Sequence, residues 1–225
     1  MLQGVLFDMD GVIVDTEPLH HKAYYQMFDE VGIEVSPELY QSFTGQSTIN
    51  ICKRLVDHFD LIKTPEHLMY TKRDNFKYLF ANDTSLQLIN GVLDIIKEYH
   101  ANELKLVLAS SASMMTIDNV FDRFDLNQYF IAKFSGADLK QSKPHPEIFE
   151  KAAHATGYER SNCMVIEDST NGIKAANAAG IFCVGYDSQH SKNQDYSIAN
   201  MVISDFQEIQ HDKIQSIFKK KIETS

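Results

Sequence analysis

Five short apolar runs, each bounded by turn or polar residues, set what this chain can fold into: GVLF at 4–7, KLVLA at 105–109, CMVI at 163–166, IFCVG at 181–185 and MVI at 201–203. Runs this short and uniformly apolar read as buried strands. Between most of them the apolar spacing becomes helical. Pro146 to Thr156 opens with proline at the first helical position, gathers Ile148, Phe149, Ala152 and Ala153 on one face and stops at Gly157. A second helix is predicted from Thr170 to Ala179, ending at Gly180. Parallel strands need long crossovers, which helices supply, so the alternation predicts an α/β fold with a parallel sheet covered on both faces.

Residues 16–90 break the rhythm. They hold no convincing strand run but three proline-marked helix starts, Glu17-Pro18, Ser36-Pro37-Glu38 and Thr64-Pro65-Glu66. The last two have a capping hydroxyl before the proline and a carboxylate after it. The stretch is too long for a loop, so a small helical domain is predicted over 16–90, inserted into a core of 1–15 and 91–225. LQLI at 86–89 is read as part of the return hinge, and FKKK at 218–221 as the solvated end of a last helix.

Charge bears on what the chain can bind. Lys and Arg number 21 against 31 Asp and Glu, a net charge of −10 over 225 residues. Such a chain repels a phosphate backbone, so nucleic acid is not expected as a partner, and an anionic small substrate would need cations concentrated locally. No run approaches the length of a membrane span and no charged and apolar leader precedes VLFD, so neither membrane nor secretion is expected. Cys52, Cys163 and Cys183 lack metal-like spacing and sit in apolar runs, which suits reduced core thiols in a cytoplasmic protein.

Open parallel sheets bind ligands outside the carboxyl ends of their strands, so the polar residues that follow each strand are the candidates. After VLF come Asp8 and Asp10 in DMDG, after LVLA come Ser110 and Ser111, before the Pro146 helix comes Lys143 in SKPHP, and after CMVI come Glu167 and Asp168. Four carboxylates in one crevice raise one another's pKa or recruit a cation. Oxygen donors with a lysine nearby, and no His or Cys cluster, point to Mg²⁺. Such a pocket suits a dianionic phosphate. Asp8 is then the nucleophile and Asp10, two residues on, the general acid and base. Ser110 would hydrogen-bond a phosphoryl oxygen, and Gly11 would let the backbone approach it.

These segments resemble the four motifs of the haloacid dehalogenase-like hydrolase superfamily: FDMDGVIVDTEPLH, LASS, SKPHPEIF and IEDSTNGIKAANAAG. The resemblance implies a Rossmann-like core with a helical cap, and Mg²⁺ held by Asp8, the Asp10 carbonyl and Asp168 with Glu167 assisting. A carboxylate at position 10 speaks against true dehalogenases. The chain is most similar to the branch that contains beta-phosphoglucomutase and small sugar-phosphate phosphatases.

On a helical wheel for 18–31, Leu19, His20, Ala23, Met27 and Val31 share one arc while His21 points elsewhere. The same construction for 65–80 places Lys72 amid Leu68, Phe76 and Leu79. His20 and Lys72 match positions that face the substrate in the mutase. TGQST at 44–48 resembles the cap's specificity loop, but Thr48 stands where mutases carry an arginine that grips the second phosphate. The expectation is therefore a Mg²⁺-dependent phosphatase of a small phosphorylated metabolite, a sugar phosphate, acting through a phosphoaspartate. Beta-phosphoglucomutase is the alternative, with a non-enzymatic phosphoacceptor or a binding module behind it.

Overall fold

The computed structural model describes residues 1–43, 48–187 and 193–223. The chain divides into two compact units, Met1–Asp15 with Gln87–Ser225, and Thr16–Leu86.

The larger unit is an α/β structure. Its strands are β1 (Gly4–Phe7), β2 (Lys105–Ser110), β3 (Phe130–Ser135), β4 (Cys163–Glu167), β5 (Phe182–Tyr186) and β6 (Met201–Ile203). They form one sheet in the order β3-β2-β1-β4-β5-β6, with every neighbouring pair parallel. This is the Rossmann strand order. β1 is central, with Gly4 opposite Lys105 on one side and Cys163 on the other. Helices α5 (Val92–Ala101), α6 (Met114–Arg123), α7 (Glu147–Thr156), α8 (Thr170–Ala178) and α9 (His211–Glu223) belong to this unit. Ile148, Phe149, Ala152 and Ala153 of α7 pack on Leu6, Val107 and Val165, which uses the apolar face seen in the sequence.

The smaller unit is helical: α1 (Glu17–Val31), α2 (Pro37–Gln41), α3 (Thr48–Phe59) and α4 (Pro65–Asn82). The proline-marked starts are helix starts, and the hydroxyls of Ser36 and Thr64 accept from the N–H groups of Leu39 and His67. Tyr24, Met27, Phe28, Ile51, Leu55 and Leu68 form its core. The return segment pairs with the outgoing one: Val14 bridges Leu88, and the Ile89 N–H donates to the Ile13 carbonyl at 2.9 Å.

The structure departs from the sequence reading in five places. β3 adds a sixth strand. It is an edge strand with Lys133 at its middle and Ile131 49% exposed, so it lacks the uniform apolar run that marks its neighbours. α3 adds a helix with no proline at its start. Pro146 is the N-cap of α7, not its first residue, and α8 ends one residue early at Ala178. MVI is a strand, but an edge strand with Val202 45% exposed. Among the described residues no helix is long and apolar enough to cross a membrane.

Candidate active site

The sheet order places the chain's reversal between β1 and β4, where an open parallel sheet leaves a crevice at its carboxyl edge. Asp8 follows β1, and its N–H donates to the Ile166 carbonyl at 3.0 Å, extending the ladder by one bond. Glu167 ends β4 and Asp168 comes next; Ser110 ends β2. Lys143 enters from the segment before α7, ahead of a cis Lys143–Pro144 peptide.

Lys143 is the hub. Its Nζ donates to Asp8 Oδ1 at 2.5 Å, Glu167 Oε1 at 2.8 Å and the Ala109 carbonyl at 2.9 Å, three acceptors for three donors. Side chains of Lys143, Asp8 and Glu167 are only 5%, 9% and 1% exposed, so water screens little of this pairing. Burial alone would lower the Lys143 pKa, but Asp8 and Glu167 outweigh it and hold the ammonium above the usual lysine range. Asp8 is pushed well above the ordinary carboxylate range, first by burial and then, with Lys143 opposing, by Glu167, Asp168 and Asp10.

Two glycines make room for two carboxylates. A Cβ on Gly172 would overlap the Glu167 carboxylate, and one on Gly11 would overlap that of Asp168. Gly11 also has φ +81°, a conformation that disfavours any side chain. Its open space is thus filled by Asp168. The second Glu167 oxygen, Oε2, accepts from the Ser169 N–H at 2.7 Å and the Ser169 hydroxyl at 2.9 Å. Both Glu167 oxygens are engaged by protein groups, so here Glu167 holds Lys143 in place.

The donor set fits a hard divalent cation. Asp8 and Glu167 bind one ammonium, Asp10 and Asp168 add their negative charges around Asp8, and every side-chain donor among the four is oxygen. Among the described residues no three His, Cys, Asp or Glu side chains are grouped to enclose a metal ion. Mg²⁺ does not need such a cage: it takes one or two carboxylates and fills the rest of its octahedron with water and phosphate oxygens.

The other sequence candidates fall into place as follows. Asp10 is half-buried and bridges Val14 through its backbone. Ser110 is fully buried and its Oγ accepts from the Ala112 N–H at 3.1 Å, while Ser111 is exposed at the same turn. Thr44 to Ser47 of the TGQST segment lie outside the described residues.

Three candidates belong to the helical unit and gather around Tyr24. Lys72 is 4% exposed; its Nζ lies 2.7 Å from His20 Nδ1 and 4.9 Å and 5.1 Å from the ring centres of Tyr24 and Phe76. His20 stacks on Phe76 with centroids 4.2 Å apart. Burial first, then the Lys72 charge, lower the His20 pKa to about 3, so the ring is a neutral acceptor at Nδ1. Thr48 hydrogen-bonds the Tyr24 hydroxyl. Neither Tyr24 nor the Ser169 and Gly172 cradle was singled out from sequence. The cradle was legible, as the S and G of EDSTNG beside the carboxylates, whereas Tyr24 is an ordinary aromatic on an apolar face.

A Rossmann-like core with an acid after its first strand and a lysine pinned between two carboxylates is the framework of a hydrolase class. The sequence profile of haloacid dehalogenase-like hydrolases matches residues 5–186, and the chain belongs to that family. It is 30% identical over 205 residues, 88% of this chain and 87% of the relative, to a Drosophila melanogaster protein named as a probable pseudouridine-5'-phosphatase. It is 29% identical over 182 residues, 80% and 94% of the two chains, to a fructose-1-phosphate phosphatase of Escherichia coli. Among solved structures, beta-phosphoglucomutase from Clostridium difficile superposes with a TM-score of 0.77 at 26% identity over 99% of each chain.

Proposed function

We propose that this protein is a Mg²⁺-dependent phosphatase that hydrolyses a small phosphorylated metabolite, a sugar phosphate, through a phosphoaspartate at Asp8. The observation that carries the proposal is the Lys143 ammonium bound to both Asp8 and Glu167 at the carboxyl edge of the sheet. It fixes one carboxylate oxygen of Asp8 and leaves the other for attack.

In the first half-reaction an Asp8 oxygen bonds to phosphorus while the ester P–O bond breaks, and Asp10 as the acid gives its proton to the departing alkoxide. In the second, Asp10 as the base takes a proton from water, the water oxygen bonds to phosphorus, and the acyl P–O bond breaks to return Asp8 and release phosphate. Lys143 neutralises charge on Asp8 and on the phosphoryl oxygens, and the Ser110 and Ser111 turn supplies hydroxyls beside them. Mg²⁺, held by Asp8, Asp168 and the Asp10 carbonyl, would supply a second positive charge against the phosphoryl oxygens. The helical unit is assigned to substrate selection through Lys72, the cation that its His20 and Tyr24 hold in place.

Thr48 favours a phosphatase over the mutase, because a hydroxyl bonded to Tyr24 cannot grip a second phosphate as a guanidinium does. Phosphate release across sugar phosphates, nucleotides, phosphoglycolate and pyrophosphate, in Mg²⁺ and in EDTA, tests the proposal, with Asp8→Asn as control. Release that needs Mg²⁺ and vanishes in Asp8→Asn is the expected result. Conversion of beta-glucose 1-phosphate to glucose 6-phosphate without net phosphate release, given a trace of bisphosphate, would establish the mutase instead.

A further inference from the structure

β2 and β3 end together. Their last registered pair is Ser110 with Ser135, and both are buried, Ser110 fully and Ser135 with 3% of its surface exposed. A buried hydroxyl needs a partner. That of Ser135 donates to the Ala112 carbonyl at 2.8 Å. The acceptor lies in the turn between β2 and α6. One residue further on, the Ser113 carbonyl already belongs to the helix, where it accepts from the Ile117 N–H at 3.0 Å. The Ala112 carbonyl is turned toward β3 instead. Its peptide is planar, so fixing this carbonyl also fixes the Ser113 N–H on the other side.

Gly136, which follows Ser135, presses on the same turn. A Cβ there would stand 3.1 Å from Ser111 Cα and 3.3 Å from the Ser110 carbonyl oxygen, closer than side chains ordinarily come to backbone. Glycine lets the chain leaving β3 lie against the turn, and the Ser135 hydroxyl holds it there.

The end of β2 and its turn are thus fixed at three successive places. The Ala109 carbonyl accepts from Lys143 Nζ at 2.9 Å, Ser110 Oγ accepts from the Ala112 N–H at 3.1 Å, and the Ala112 carbonyl accepts from Ser135. The first bond ties the segment to the ammonium that holds Asp8, the second closes the turn on itself, and the third ties it to the edge strand. With a lone pair of Oγ committed to the Ala112 N–H, the proton of the Ser110 hydroxyl is directed away from that bond.

We propose that Ser135 and Gly136 position the turn at 110–112 for binding a phosphoryl group, with the Ser135 hydroxyl as the principal positioning group. The inference rests on the phosphatase reading given under the proposed function. Neither residue is assigned a contact with substrate; they act through Ser110 and Ser111. Asp8, Lys143, Glu167 and Asp168 all come from elsewhere in the sheet, so this gives the edge strand β3 its part in the reaction.

Ser135→Ala removes the hydroxyl and keeps the strand. The experiment takes the phosphate ester that the parent hydrolyses fastest in Mg²⁺ and measures kcat, KM and inhibition by inorganic phosphate, with thermal melting of each protein beside it. In Ser135→Ala, kcat/KM is expected to fall and the inhibition constant of inorganic phosphate to rise, each about tenfold, a part of the roughly 10²-fold that an ångström's misplacement costs. A tie that serves only the fold would lower the melting temperature and leave both constants at the parent's values. That result in a folded Ser135→Ala overturns the proposal. Should Ser135→Ala fail to fold, Gly136→Ala decides, because it keeps the hydroxyl and forces the turn to give by a few tenths of an ångström. A raised phosphate inhibition constant there supports the proposal, and a parent-like one overturns it. A parent protein that hydrolyses no ester overturns the phosphatase reading and this inference with it, a result read before any variant is made.

Discussion

The carboxylate of Glu167 occupies the volume in which residue 172 would carry a side chain: a Cβ on Gly172 would overlap both Oε1 and Cδ of Glu167. Gly172 sits in the first turn of α8, where alanine would by propensity alone stabilise the helix by about 1 kcal/mol. Gly172→Ala is nevertheless expected to be harmful, because Glu167 must leave the site in which it holds Lys143. Activity should fall about 10²-fold, the scale of an ångström's misplacement, and stability should drop by about 1–3 kcal/mol from overpacking. Phosphate release and urea unfolding measure the two; an active, more stable variant would refute the cradle.

Lys143→Met tests the hub itself. The substitution leaves Asp8, Glu167 and the Ala109 carbonyl without their shared donor in a site closed to water. Removing one partner of a buried pair costs about 3–5 kcal/mol, and the metal-free protein should lose about that much at neutral pH. The loss should shrink as pH falls, because Asp8 is already pushed toward its protonated form and takes up a proton more readily once the ammonium is gone. Urea unfolding of parent and variant from neutral to acid pH checks both expectations.

What the sequence made legible was where side-chain burial follows a short local period. β1 and β6 have the bounds of their apolar runs, and the strand-end acids and Lys143 meet because each terminates or follows a strand of one parallel sheet. β3 was hidden because an edge strand needs only half its residues buried, and FIAKFS is interrupted by Lys133, which pairs with Asp118. α3 was hidden because it carries Ile51, Cys52 and Leu55 on one face but has no proline of the kind that marked the starts of its neighbours. The ties from Gln194 and Tyr196 to Asp168 and Thr170 could not be read at all: they are long-range bonds made by single side chains, with no periodicity and no motif.

His20 gives stability a pH dependence with a definite sign. Its pKa falls to about 3 in the folded chain against 6.5 ordinarily, through burial and then the charge of Lys72. Between those values the unfolded chain carries a proton that the folded chain does not, so stability falls as pH drops below about 6.5 and is unaffected above it. The slope is at most about 1.4 kcal/mol per pH unit, less to the extent that His20 keeps part of its surface in water. His20→Asn should flatten the stability curve between pH 6.5 and 4 relative to the parent, as read from denaturant unfolding. Parallel curves for the two proteins would mean that His20 is protonated in the folded state.

Gly11 and Gly157 separate the cost of a backbone conformation from the cost of displacing a functional group. Both have left-handed φ, +81° and +75°. A side chain at either position strains the backbone by about 1–2 kcal/mol. Their surroundings differ: a Cβ on Gly157 meets nothing within 4 Å, whereas one on Gly11 meets the carboxylate of Asp168. Gly157→Ala should therefore lower stability by about 1–2 kcal/mol and leave phosphate release as it was. Gly11→Ala should pay the same backbone strain and also push Asp168 aside, with phosphate release reduced about 10²-fold and Mg²⁺ binding weakened in calorimetry. Equal activity in the two variants would show that the packing of Asp168 on Gly11 has no part in the reaction.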